Sequence, residues 1–472
     1  MELLLNNIGI IKNSQIKVDG LTVITGKNNS GKTTVGKALY GVVQGSSNVG
    51  EAFEQSRTVY VSQQMFRVWE FLTSGRYIFL QPITELAATN EKEEILLALA
   101  YQHYDYFIDD KVLLKTRIII DSLTYEEFVG FFTKIIERDD FYSVNEEAFL
   151  ANKNKALEIC DSVIDTLGKK NIVQEFRDDR IKAFLNKVFN KQIKPVKDRV
   201  SPSKITLSEN EQSILDMEII NANEIYLSEK STFQFPWESV ILLDDPFILD
   251  GVEPKRRVRR NNLDYLLSRE RSFPVEAVDY KDYVISLLEQ ENERGFFDKY
   301  EYQKQYSTVL SKINEIVPGE FQRTNAGVFY VNDTAQLDVK NLAGGSKQFF
   351  ILKQLIINGS IDEKTLLILD EPEAHLHPEW INKYAEILIH LIKEIGVRIV
   401  LTTHSPQFLL ALNYYAKYHR VTDQSHFYLA KTNDNEWQSE IISIDDNVNE
   451  GYAHLSMPMI ELSIENDKLT NN

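Results

Sequence analysis

Gly26-Lys27-Asn28-Asn29-Ser30-Gly31-Lys32-Thr33 satisfies the pattern G-x-x-x-x-G-K-[ST]. An apolar run at 21–25 reads as a strand before it, and residues 35–42 read as a helix after it. A strand, a glycine-rich turn and a helix in that order form the context in which the pattern holds phosphate. The glycines let backbone N–H groups wrap a phosphate chain, and the helix N-terminus adds a favourable dipole. In such a loop Lys32 would reach the β- and γ-phosphates, Thr33 would hold Mg²⁺, and Thr34 follows on the same turn. The octapeptide thus predicts a site for ATP and Mg²⁺. A plain glycine turn is the alternative, and motif and context together disfavour it.

Moving outward, Thr365-Leu366-Leu367-Ile368-Leu369-Asp370-Glu371-Pro372 reads as a buried strand that ends in two carboxylates. Asp370 suits the Mg²⁺ shell, and Glu371 suits general-base activation of water. A further apolar strand at 397–402 ends at Thr403-His404-Ser405-Pro406. A histidine there can contact a γ-phosphate or order the attacking water, although alone it serves a plain turn equally well. Asn341-Leu342-Ala343-Gly344-Gly345-Ser346-Lys347-Gln348 sets two glycines before an apolar helix. Strand patterns also fall at 224–227, 240–243 and 328–331, and helical patterns at 91–106, 123–138, 145–167 and 262–317. Strands alternating with helices imply an α/β core into which two helical blocks are inserted.

The chain order of phosphate loop, helical insertion, glycine-helix element, carboxylate strand and histidine resembles that of ABC-type P-loop ATPase heads. Within that class it is similar to the stand-alone bacterial ATPases of the overcoming-lysogenisation, RecF and SMC kind. Asp370-Glu371-Pro372-Glu373-Ala374-His375-Leu376-His377-Pro378-Glu379-Trp380, together with Thr403-His404-Ser405-Pro406 and Leu455-Ser456-Met457-Pro458-Met459-Ile460-Glu461-Leu462, carries the narrower likeness. The nearest resemblance is to the ATPase subunits of Septu anti-phage systems, which pair with an HNH nuclease. It implies an N-terminal lobe at 1–70, a helical insertion at 83–200, a strand-containing connector at 201–261, a second helical insertion at 262–317 and a C-terminal lobe at 325–465. It further implies nucleotide sandwiched between two heads. Lys32, Thr33, Asp370, Glu371 and His404 would act from one head, while Gly344, Gly345 and Ser346 approach the γ-phosphate from the other. Ala343 stands where the class usually has serine, which removes a hydroxyl contact and predicts slow hydrolysis.

Other features bound this expectation. Val240-Ile241-Leu242-Leu243-Asp244-Asp245-Pro246 imitates the carboxylate strand but precedes the glycine-helix element, so it reads as a core strand with a carboxylate near the site. Gln63 and Gln64 are candidates for the glutamine that senses Mg²⁺. His375 and His377, beside Pro378 and without nearby cysteine, read as a loop-to-helix junction rather than a zinc pair. The net charge of −18 argues against a protein that coats nucleic acid, whereas Lys255-Arg256-Arg257-Val258-Arg259-Arg260 runs against that trend. Such a run either contacts a phosphate backbone locally or pairs with the protein's own acids. One cysteine, Cys160, excludes an internal disulfide framework and fits a reducing cytoplasm. No apolar run approaches the ~18 residues of a membrane span, and the first residues lack the pattern of a signal peptide. The rival readings are a RecF-like repair or recombination ATPase and a transporter's nucleotide-binding subunit. A twin-cassette translation factor would carry a second phosphate loop.

Overall fold

The computed structural model describes residues 1–73, 88, 90–101, 103–135, 145–195, 202–210, 212–221, 224–254, 279–290, 304–433 and 438–470. The chain forms two compact units, Met1–Ser47 with Asp178–Asn472, and Asn48–Arg177. The basic run at 255–260 lies outside the described residues.

The larger unit is built on an eleven-stranded sheet among the described residues. Its strands are β1 (Glu2–Ile8), β2 (Ile11–Lys17), β3 (Leu21–Gly26), β4 (Ser203–Glu209), β5 (Gln212–Ile219), β6 (Ile225–Leu227), β7 (Ser239–Leu243), β11 (Thr365–Asp370), β12 (Arg398–Thr403), β13 (Ser425–Asn433) and β14 (Gln438–Ser443). The spatial order is β6-β5-β4-β1-β2-β14-β13-β3-β12-β11-β7. Neighbours from β6 to β2 are antiparallel, whereas β13, β3, β12, β11 and β7 run parallel. A small antiparallel sheet of β8 (Glu320–Arg323), β9 (Val328–Val331) and β10 (Gln336–Asp338) stands apart.

The parallel strands are apolar on both faces because helices cover both. Leu366, Ile368, Val400 and Ile24 join the cluster around α1 (Lys32–Ser46). Leu367, Leu369, Ile399 and Leu401 join the cluster around α10 (Gly344–Ile357), α11 (Pro378–Ile395) and α12 (Pro406–Tyr418). Each such leucine or isoleucine removed from water contributes roughly 1.5–3 kcal/mol before entropy is counted. Gly36 lets α1 lie close on the sheet, since a Cβ there would stand 2.8 Å from Ile368 Cγ2.

The smaller unit is helical. Its α2 (Val49–Leu72) packs with α4 (Asp110–Ser122) and α6 (Glu146–Leu167) around Val61, Met65, Trp69, Phe149 and Cys160, alongside α3 (Glu91–Ala100) and α5 (Tyr125–Ile135). Burial pushes the Cys160 thiol up to about 12.

The boundaries differ from those expected at 70, 83 and 200. Residues 49–72 contain no proline and one glycine, Gly50, form one unbroken helix, and join the helical unit. Conversely, α7 (Ile172–Val188) ends in Ile181, Phe184 and Leu185, which pack into the core cluster of α1. The expected connector at 201–261 supplies four strands, three at one edge of the sheet and β7 at the other. The described part of the second helical block is α8 (Tyr280–Glu289) and α9 (Ser307–Asn314), both packed into the core cluster of α10. The C-terminal stretch that carries Leu455–Leu462 forms one helix, α13 (Asn449–Thr470).

Candidate active site

Three neighbouring parallel strands deliver the chemistry to one edge, because parallel strands end together. Thr25 of β3 pairs with Thr403 of β12, and Asp370 of β11 pairs with Thr402. The phosphate loop therefore meets the carboxylates and His404, although Thr33 and Asp370 are 337 positions apart in sequence.

At the loop, Gly31 has φ +87°, a left-handed conformation that side chains disfavour, and α1 begins at Lys32. Lys32 is 4% exposed, and its Nζ donates to the Gly26 carbonyl at 3.0 Å and the Lys27 carbonyl at 2.9 Å. Its ammonium also stands 3.6 Å from Glu371 Oε1. Burial lowers the Lys32 pKa, and the Glu371 and Asp370 carboxylates oppose that shift. Ser30 Oγ is buried without a hydrogen-bond partner among the described residues, inside a loop whose backbone suits an anion.

Thr33 Oγ1 donates to Asp370 Oδ2 at 2.8 Å, and Thr402 Oγ1 donates to Asp370 Oδ1. A hydroxyl and a carboxylate held together are the hard oxygen donors that Mg²⁺ prefers. Glu371, the next residue, has φ +49°, and its N–H donates to the Thr402 carbonyl and hydroxyl. That strained turn aims the carboxylate between the Lys32 ammonium, near Oε1, and the His404 imidazole, whose Nδ1 is 3.2 Å from Oε2.

Two further residues belong here, one outside the expected set and one from the strand expected to bring a carboxylate near the site. Glu373 is 5% exposed and accepts hydrogen bonds from Thr403 Oγ1 and the His404 N–H. Burial raises its pKa, while the Thr403 hydrogen bond opposes the shift. The other is Asp244, which follows β7. Because Leu243 pairs with Leu369, Asp244 stands beside Asp370. Asp244 accepts from Tyr280 Oη, and Lys281 Nζ is 3.9 Å from its Oδ1. Burial raises its pKa, whereas the Tyr280 bond and Lys281 lower it. Asp244, Asp370, Glu371, Lys281, Gln348 and His375 line a cavity of about 390 Å³. Asp245 lines the same cavity, with its Oδ2 3.8 Å from Lys281 Nζ, while its Oδ1 caps the turn Pro246–Gly251 by accepting from the Phe247 N–H.

The glycine-helix element is fixed separately. Lys347 Nζ donates to Asp250 and to the Lys340 carbonyl, anchoring the first turn of α10. Gly344 and Gly345 abut His375, whose carbonyl oxygen would lie 2.8 Å from a Cβ on Gly345. Ala343 occupies the N-cap of α10 without a side-chain cap, so no hydroxyl of that residue engages the first-turn N–H groups around Gly345 and Ser346. His377 caps α11 through a hydrogen bond from the Glu379 N–H to its Nδ1. Gln63 and Gln64 lie on α2 of the helical unit rather than at a strand end in the core.

The AAA ATPase domain family matches residues 1–409. No curated protein matches the sequence. Among solved structures, the chain is similar to the SMC head domain from Thermotoga maritima, at 12% identity over 94% of this chain and 97% of that one, with TM-score 0.35. It is similar at 11% identity to the SmcHead bound to the C-winged helix domain of ScpA, over 94% and 96% of the two chains, with TM-score 0.39. A third, derived from Pyrococcus furiosus, is an Smc head domain with an extended coiled coil bound to the C-terminal domain of ScpA. It matches at 11% identity over 94% of this chain and 95% of that one, with TM-score 0.31.

Proposed function

The chain belongs to the AAA ATPase domain family, as a P-loop ATPase with an ABC-type head, and on that premise we propose that it hydrolyses ATP as a head-to-head dimer controlling a separate effector. The observation that carries the hydrolysis is the Glu371 carboxylate, suspended between Lys32 and His404 one residue beyond the Thr33–Asp370 pair. Lys32 and the loop N–H groups bind the β- and γ-phosphates. Thr33 and Asp370 would hold Mg²⁺, which supplies charge neutralisation at the β- and γ-phosphate oxygens. Glu371 accepts the proton of the attacking water, and His404 fixes its carboxylate and reaches toward the γ-phosphate. Asp244, beside Asp370 in the cavity, orients water at the position sought in Gln63 and Gln64. Glu373 supports His404 from beneath.

Gly344, Gly345 and Ser346 present a helix N-terminus to the γ-phosphate bound by the partner head, which makes dimerisation part of turnover. With alanine at 343 the contact relies on backbone N–H groups alone, so turnover is slow. The effector we assign is an HNH nuclease of an anti-phage system in the cytoplasm, following the Septu resemblance. Among the described residues no helix is long and apolar enough to cross a membrane. The RecF-like reading uses the same site geometry and differs in its trigger.

The test is Glu371→Gln. It keeps the shape of the side chain and removes the base, so it should bind ATP, accumulate dimers and lose about 10²-fold or more in turnover. Wild-type turnover in this variant sinks the assignment. Co-expression of the intact chain with a candidate HNH protein, followed by mass measurement, tests the effector. ATP hydrolysis stimulated by DNA with no second protein present favours the RecF-like reading instead.

A further inference from the structure

Well away from the phosphate site, α11 carries Glu386, His390 and Glu394 at successive intervals of four, so they share one face of the helix. His419 forms the C-cap of the adjacent α12. One ligand atom each from Glu386, His390 and His419 lie within 4.8 Å of one another. His390 is 7% exposed, and its Nδ1 is 2.7 Å from Glu394 Oε1. A proton held on Nδ1 by that carboxylate leaves the Nε2 lone pair free, and Nε2 lies 3.9 Å from Glu386 Oε1. His419 Nε2 is enclosed with no hydrogen-bond partner among the described residues, and its ring meets that of His390 at 4.5 Å between centroids. Burial, then His390, lowers the pKa of His419.

We propose that Glu386, His390 and His419 bind a divalent transition-metal ion of the zinc class, which clips the end of α11 to the end of α12. Two imidazoles and one carboxylate are a zinc donor set, and a carboxylate behind the histidine is the usual device for orienting such a ligand. Mg²⁺ does not suit this set, because it prefers oxygen donors. Bonds of about 2.0–2.1 Å require the three atoms to close by roughly 1 Å, within reach of side-chain rotation at a helix end. Lys312 Nζ, 2.9 Å from Glu386 Oε1, supplies positive charge to the same carboxylate. The cluster lies roughly 20 Å along α11 from its N-cap, which separates it from the Asp370 end of β11.

The experiment uses the full chain, equilibrated with Zn²⁺ and then dialysed against metal-free buffer. Zinc per chain is measured for the wild type, for His419→Gln and for the double variant His390→Asn, His419→Asn. One more equivalent in the wild type than in either variant is expected. Co²⁺ should give visible absorption bands that both variants lack, and Zn²⁺ should raise the thermal midpoint of the wild type only. His419→Gln changes a half-exposed cap and keeps the His390–Glu394 pair, so it reports even if the double variant does not fold. Equal zinc content and equal Co²⁺ spectra in wild type and His419→Gln overturn the proposal. Because no readout involves ATP, failure here leaves the hydrolytic reading untouched.

Discussion

Lys32 is buried with its ammonium on two carbonyls and near Glu371, which leaves it pre-aimed for phosphate. Lys32→Ala should weaken ATP binding on the order of 10- to 100-fold, since hydrogen bonds to charged groups contribute about 1.5–3 kcal/mol. Isothermal titration measures this, and wild-type affinity would remove Lys32 from the phosphate site. Asp244 makes a different prediction. Asp244→Asn keeps the Tyr280 contact and deletes the charge beside Asp370, so turnover should fall ~10-fold or more with ATP affinity little changed. A matching loss of affinity would mean that Asp244 binds rather than orients. Lys32 opens α1 and was legible as functional, whereas Asp244 follows β7 and was legible only as part of a strand with a carboxylate near the site. The spacing around Lys32 is local, whereas Asp244 acquires its place from the pairing of β7 with β11, across more than a hundred residues.

Among elements, α10 separates binding from dimerisation. Ser346 occupies the third position of this helix, where an acidic side chain is favoured by the dipole. Ser346→Asp should therefore fold normally and bind ATP, while its carboxylate repels the partner's γ-phosphate. Loss of nucleotide-dependent dimers with retained ATP binding is the expected result; dimers at wild-type level would show that α10 does not face the second head. The ends of β11 and β12 are joined by Glu373, which takes the Thr403 hydroxyl and the His404 N–H. Glu373→Ala leaves those donors without that acceptor and should cost about 1–3 kcal/mol in denaturant unfolding, with Glu373→Gln recovering most of it. No spacing rule singled out Glu373, because its role depends on a buried contact between two strand ends. Gln63 and Gln64, the candidates for the Mg²⁺-sensing glutamine, lie on one helix running from Val49 to Leu72 in the helical unit.

For the whole molecule, the proposed cycle predicts that mass in solution depends on nucleotide. Light scattering of Glu371→Gln should give one chain of 54.6 kDa without ATP and twice that mass with it. A mass indifferent to ATP would argue that both halves of the site act within one head. The net charge of −18 is a property of the entire chain and does not bear on the phosphate loop, where backbone N–H groups and one buried lysine dominate the field. The division of the chain follows the same logic. Residues 49–72 belong to the helical unit by their packing around Met65 and Trp69, and α7 returns to the core through Ile181 and Phe184. By itself the sequence determined the phosphate loop, the carboxylate strand and their α/β setting, because each is a short motif whose strand, turn and helix lie next to one another in the chain. Only the tertiary structure decided that Asp244 stands beside Asp370, that Glu373 joins the site, that the expected connector builds both sheet edges, and that two histidines and a glutamate meet between α11 and α12. Those arrangements depend on strand register and helix packing, which are set by burial across the whole molecule rather than by neighbours in sequence.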